Sequence, residues 1–137
     1  MMVLGEPRYS NRYESHQEHF TVVVEKSDLT VSTFHGKGSM EGTRAYIQML
    51  SEVVQIFPEE GKRSSLVDLS DFHGTPLRAQ LSLGRWMLQH RGQLEKVAVV
   101  GARAWERKIA KAIMKISRFK RLEFFVDQAS ARAWLGV

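Results

Sequence analysis

Apolar and polar positions recur with two different periods along this chain, and the changes of period mark its elements. Phe20 to Glu25 (FTVVVE) is rich in β-branched residues and is bounded by the turn signal Lys26-Ser27-Asp28. Leu29 to Phe34 (LTVSTF) alternates apolar and polar, as a half-exposed strand does. The two runs predict an antiparallel hairpin. Gly36-Lys37-Gly38 ends it, and Ser39 is placed to cap the next helix. From Glu41 to Phe57 the apolar positions Tyr46, Ile47, Met49, Leu50, Val53, Val54 and Phe57 fall on one broad helical face, which Pro58 through Lys62 breaks.

Ser65 to Leu69 (SLVDL) predicts a third strand. Thr75-Pro76 then reads as an N-cap followed by proline at the first helical position, where the missing N–H costs little. The helix is expected to run to about His90, to bury Leu77, Leu81, Gly84 and Met87 or Leu88, and to end at Gly92. Lys96 to Val100 is a strand with the apolar composition of one buried on both faces, stopped by Gly101. A basic amphipathic helix over 103–121, a strand over Leu122 to Val126 and a short closing helix complete the order β-β-α-β-α-β-α-β-α. Strands alternating with helices predict a single α/β domain with a mixed, mostly parallel sheet, an antiparallel hairpin at its N-terminal edge and helices packed on the sheet. That domain is expected over residues 18–137, with residues 1–17 as a flexible N-terminal segment.

Composition narrows the class. The 137 residues are 43% hydrophobic and 26% charged, an ordinary globular mixture able to bury a core without staples. Cysteine is absent, which removes disulfides, thiolate chemistry and cysteine zinc sites. No apolar run reaches the length of a membrane span, and the polar N-terminus lacks the apolar centre of a signal peptide. A cytoplasmic protein is the expectation.

The net charge of +5 is concentrated. Arg103 to Arg121 holds eight basic residues against one acid, Glu106, so the rest of the chain is slightly acidic. Arg107, Lys111, Lys115 and Arg118 recur at helical spacing as one stripe, with Ile109, Ala112, Ile113 and Ile116 on the side expected to face the sheet. Nucleic acid is disfavoured, because exposed aromatics are not interleaved with the basic groups. An anionic membrane surface suits the stripe better, each basic residue there contributing roughly 1 kcal/mol.

Leu66-Val67-Asp68-Leu69, Val97-Ala98-Val99-Val100-Gly101 with Trp105 beyond, and Phe124-Phe125-Val126 followed by Ala129, Ala133, Trp134 and Leu135 resemble the SpoIIAA-like branch of the STAS and CRAL-TRIO-like proteins. The resemblance spans roughly Phe20 to Leu135 and rests on structural motifs. It implies a small non-enzymatic regulatory or ligand-binding module. One departure matters: anti-sigma-factor antagonists of the STAS group carry Asp-Ser-Ser-Gly, with a phosphorylated serine, where this chain reads Asp71-Phe72-His73-Gly74-Thr75-Pro76. Thr75 is the remaining hydroxyl there, and N-capping is its expected work.

The loops after the strands, Ser70 to Thr75 and Gly101 to Ala104, are expected at one end of the sheet, where open α/β sheets bind ligands. Asp71, His73, Thr75, Arg103 and Trp105 are the candidate ligand- or partner-binding residues, with Asp68 beside them. No glycine elbow surrounds Thr75 to make a nucleophile, so no catalytic residue is assigned. His16 and His19, with Glu14 and Glu18, fall short of a metal site, and His35-Gly36-Lys37-Gly38-Ser39 is too short for a phosphate-binding fingerprint. No cofactor or metal is expected. The expected function is a non-enzymatic regulatory or scaffolding domain binding a protein partner. The alternative is a carrier or sensor of a lipid or other apolar small ligand, docking on anionic membrane through the basic helix; a homodimer is a further expectation.

Overall fold

Six strands form one mixed sheet whose order never departs from the order of the chain: β1 (Tyr9–Glu14), β2 (Glu18–Val24), β3 (Thr30–Gly36), β4 (Arg63–Phe72), β5 (Leu94–Val100) and β6 (Leu122–Phe125). The computed structural model describes residues 6–57 and 61–137. β1, β2 and β3 pair antiparallel, and β3 through β6 pair parallel. The parallel pairs need crossovers, supplied by α1 (Met40–Ile56), α2 (Leu77–His90) and α3 (Ala104–Ser117); α4 (Gln128–Leu135) follows the last strand.

This topology decides which face each helix covers. Crossovers that always step in the same direction with the same hand leave their helices on one side of the sheet. α1 accordingly packs on Phe20, Val22 and Val24 of β2, while α2 and α3 pack on Val97 and Val99 of β5. α4 connects to no further strand and lies on the other side, where Ala131 and Leu135 close over Leu29, Leu66, Ala98 and Val100. Adjacent β4 and β5 residues therefore belong to different cores, Leu66 and Ala98 to one and Val67 and Val99 to the other.

Local chemistry fixes the helix ends. Ser39 caps α1 as expected, its hydroxyl accepting from Gly42 N at 2.9 Å. Asp127 caps α4 in the same way from Ser130 N at 2.8 Å. Gly84 in α2 is a close-approach site: a side chain there would press on Ile116 of α3. Glu25, at the end of the β2 strand, takes both guanidinium nitrogens of Arg132 at 2.9 and 2.7 Å, which ties α4 to the β2–β3 turn.

Four expectations need correction. The segment over 1–17 is not merely a flexible tail, because Tyr9–Glu14 pairs with β2 along its length; residues 1–5 lie outside the described residues. β1, not the hairpin, is thus the antiparallel edge. Its alternation is masked by polar residues, since only Tyr9 and Tyr13 turn toward the core. Thr75 does not cap α2: Pro76 occupies that position without a side-chain bond. Finally, Leu77, Leu81 and Leu88 of α2 face outward and are exposed, while Ala79, Gly84, Trp86 and Met87 are buried. The expected break at Pro58 through Lys62 falls largely on residues 58–60, outside the described residues.

Candidate functional site

The core under α1, α2 and α3 is divided. One cluster gathers around Phe20 and Tyr46 and the other around Trp86 and Ile113, with Leu50 and Leu83 touching both. Between them lies a cavity of about 190 Å³. Val67 and Leu69 of β4 line it, with Tyr46, Leu50 and Val54 on the α1 side and Leu83 on the α2 side. Val67 and Leu69 remain only half-buried although β4 is central in the sheet, because α1 and α2 do not close over them. Trp86 Nε1 donates to Ser51 Oγ at 3.0 Å and joins the two helices. A cavity lined this way has few partners for water and favours apolar guests.

Polar groups are confined to a few places in the lining. Glu18 opens β2 and is buried; Ser39 Oγ donates to its Oε1. Burial pushes the Glu18 carboxyl above its ordinary value, although the Ser39 hydrogen bond pulls the other way. Glu106, in the first turn of α3, is 1% exposed. Its Oε1 accepts from Arg103 N at 3.2 Å and from Arg103 Nε at 3.0 Å. Its Oε2 is buried with no hydrogen-bond partner among the described residues. Tyr46 is also buried, bonded to Ser32 Oγ at 2.9 Å, and burial pushes its hydroxyl up to about 12.

The strand-end loops bring several predicted residues together. A register shift in the β3–β4 pairing sets His35 opposite Asp71, and His35 Nδ1 lies 2.8 Å from Asp71 Oδ2. His73 Nε2 lies 3.5 Å from the other carboxylate oxygen, and His73 Nδ1 lies 2.9 Å from Arg103 Nη2, which also donates to Phe72 O at 2.7 Å. The hydrogen bond with His35 holds the Asp71 carboxyl below its ordinary value. His19 stacks on His35 with ring centroids 4.3 Å apart, joining this row rather than pairing with His16. Trp105 is 41% exposed and lies over Gly74, whose φ of +119° and lack of a Cβ let the ring approach. Asp71, His73, Arg103 and Trp105 are therefore neighbours, while Thr75 stands apart among the residues lining the cavity.

The basic stripe is shorter than the spacing implied. α3 ends at Ser117, and Arg118 is its left-handed C-cap at φ 58°, so the helix does not reach Arg121 and Arg118 leaves the stripe. Arg107 folds back, its Nε donating to Ala102 O at 3.3 Å and its guanidinium lying 5.3 Å from the Phe124 ring. Lys111 and Lys115 remain exposed on the helix. Toward the interior, Glu106, Ala110, Ile113 and Ser117 are the buried positions rather than Ala112 and Ile116.

Reasoning from the sequence missed Glu18 and Glu106 as cavity residues. Both left a signal. Glu18 shares the inward parity of Phe20, Val22 and Val24, and Glu106 heads the inward row of α3. An acid at an inward position marks either a buried partner or a site.

The SpoIIAA-like family model matches residues 29–136. No curated protein matches the chain. Among solved structures, an uncharacterized protein from Shewanella loihica PV-4, described as of the DUF3478 family with a SpoIIAA-like fold, superposes with a TM-score of 0.67 at 18% identity, covering 90% of this chain and 97% of its own. An antisigma-factor antagonist STAS domain from Rhodobacter sphaeroides is a looser likeness, with a TM-score of 0.42 at 14% identity over 64% of this chain and 90% of its own. The mixed sheet, the closing helix on its far face and a family match across more than three-quarters of the sequence agree: the chain belongs to the SpoIIAA-like family.

Proposed function

We propose that this chain is a non-enzymatic regulatory domain that takes an apolar small ligand into the cavity between α1 and α2. The observation that carries this reading is the divided core: a cavity of about 190 Å³ with apolar walls over the central strand. Filling it with a ligand would remove that surface from water at roughly 25 cal/mol per Å². Native mass spectrometry of the gently purified chain tests the idea, with Val67→Phe as the comparison. The expected result is added mass that organic solvent extracts from the wild type and that is missing from the folded variant. A bare wild-type chain that also takes up no apolar dye would overturn it.

A second reading is favoured by a different observation. Leu77, Leu81 and Leu88 are exposed at helical spacing on α2, with Arg78 and Arg85 among them, and Lys111 and Lys115 are exposed on α3, which packs against α2 at Gly84 and Ile116. Such a surface suits a protein partner, or an anionic membrane through its basic groups. Sedimentation with phosphatidylserine vesicles at rising salt separates the two. Binding that falls steeply with salt and is lost in the Arg107→Glu, Lys111→Glu, Lys115→Glu variant supports the membrane. Absence of vesicle binding leaves the protein partner as the occupant.

A further inference from the structure

Glu106 is the most deeply buried acid of the cavity lining, and its two oxygens are unequally served. Oε1 receives the backbone N–H and the Nε–H of Arg103, so the carboxylate charge is already balanced. Oε2 receives nothing from the described residues, although it is out of contact with solvent. A buried acceptor without a donor is rare in a folded protein and asks for an occupant that supplies one. The rest of the neighbourhood sharpens the demand. The second acid of the lining, Glu18, uses Oε1 to accept from Ser39, and Thr75, Gln80 and His90 are among the other polar residues of a mostly apolar wall. Elsewhere in the lining, Arg63 Nε and Gln93 Oε1 are also buried without a partner among the described residues.

Resting on the reading of the cavity as an apolar-ligand site, we infer that its ligand carries a neutral hydrogen-bond donor, a hydroxyl on an aliphatic chain, which donates to Glu106 Oε2 while the chain lies along Val67 and Leu69. Arg103 has neutralised Glu106, so the head group needs no positive charge. A carboxylate head would offer no proton to Oε2. Glu106 is thus assigned as the residue that selects the head group.

Decanol and decyl methyl ether test this on the whole chain, because they differ in the donor while sharing the alkyl body. Calorimetric titration of the wild type should show decanol binding about tenfold more tightly than the ether. Glu106→Gln keeps an oxygen for Arg103 and puts an amide NH₂ in place of Oε2. The decanol preference should then vanish or reverse, with circular dichroism and thermal unfolding confirming that the variant is folded. Equal affinity of the two ligands for the wild type, or an undiminished preference in the variant, would overturn the assignment and leave an internal water as the partner of Oε2. If neither ligand binds the wild type, the cavity reading itself fails, a separate and recognisable outcome.

Discussion

The two faces of the sheet are covered by unequal means, and the smaller cover is the tighter one. On one face the short helix α4 buries Leu66 and Ala98 completely. On the other, three longer helices leave Val67 and Leu69 of the same strand half-exposed to an internal cavity. Helix length therefore does not decide closure. α4 offers Ala131 at its point of contact, a small residue that lets the backbone settle onto Leu66 and Ala98. α1 and α2 instead are joined through the Trp86–Ser51 hydrogen bond, and residues of both line the cavity with Val67 and Leu69. The tight face serves stability, and the face with the cavity is the one with room for a ligand.

The largest effect should come from truncating the same residue type on each side of β4. Leu66→Ala should cost about 2–5 kcal/mol in urea unfolding, the range for a fully packed leucine. Leu69→Ala, beside a space that already exists, should cost only about 1–2 kcal/mol. Equal costs would mean that the cavity wall is packed as tightly as the far face and would break the comparison.

A smaller effect separates the faces by pH. The hydrogen bond from Arg132 lowers the Glu25 carboxyl, so its contribution is present above the unfolded value and is lost as pH falls through the folded one. Arg132→Ala should therefore cost about 0.5–1 kcal/mol at neutral pH, given side chains about a third exposed, and less in acid. Glu18 has the opposite sign. Burial raises it, so the folded state holds its proton more strongly and loses stability as pH rises from the unfolded value through the folded one. Glu18→Gln, which keeps an acceptor for Ser39, should be slightly more stable than wild type at neutral pH and should converge with it in acid. Thermal unfolding across that range checks both, and parallel profiles for the two variants would contradict the assigned signs.

Much of the fold was legible residue by residue. The β-branched runs at Phe20, Leu66 and Val97, the helical face from Tyr46 to Phe57 and the cap at Ser39 each announce their element through local spacing alone. β1 was not legible, because an edge strand buries one side and Tyr9 and Tyr13 are the visible trace of that. The leucines of α2 misled for a related reason: periodicity identifies a stripe but not the side on which the protein lies, and here Gly84 and Trp86 hold the inner side. Of the candidate site, the loop cluster of Asp71, His73 and Arg103 could be placed, since parallel strands bring their following loops to one end.

By itself, then, the sequence determined the class of the fold, the succession of its elements from β2 onward and the concentration of basic charge between Arg103 and Arg121, because propensity, period and charge are properties of neighbours in the chain. The tertiary structure alone decided that α1 and α2 stand apart over β4, that Glu106 keeps an unpartnered oxygen beside that space, and that Arg107 turns back to the sheet edge. Each depends on how residues far apart in sequence divide a volume between them, and a one-dimensional pattern does not encode volume.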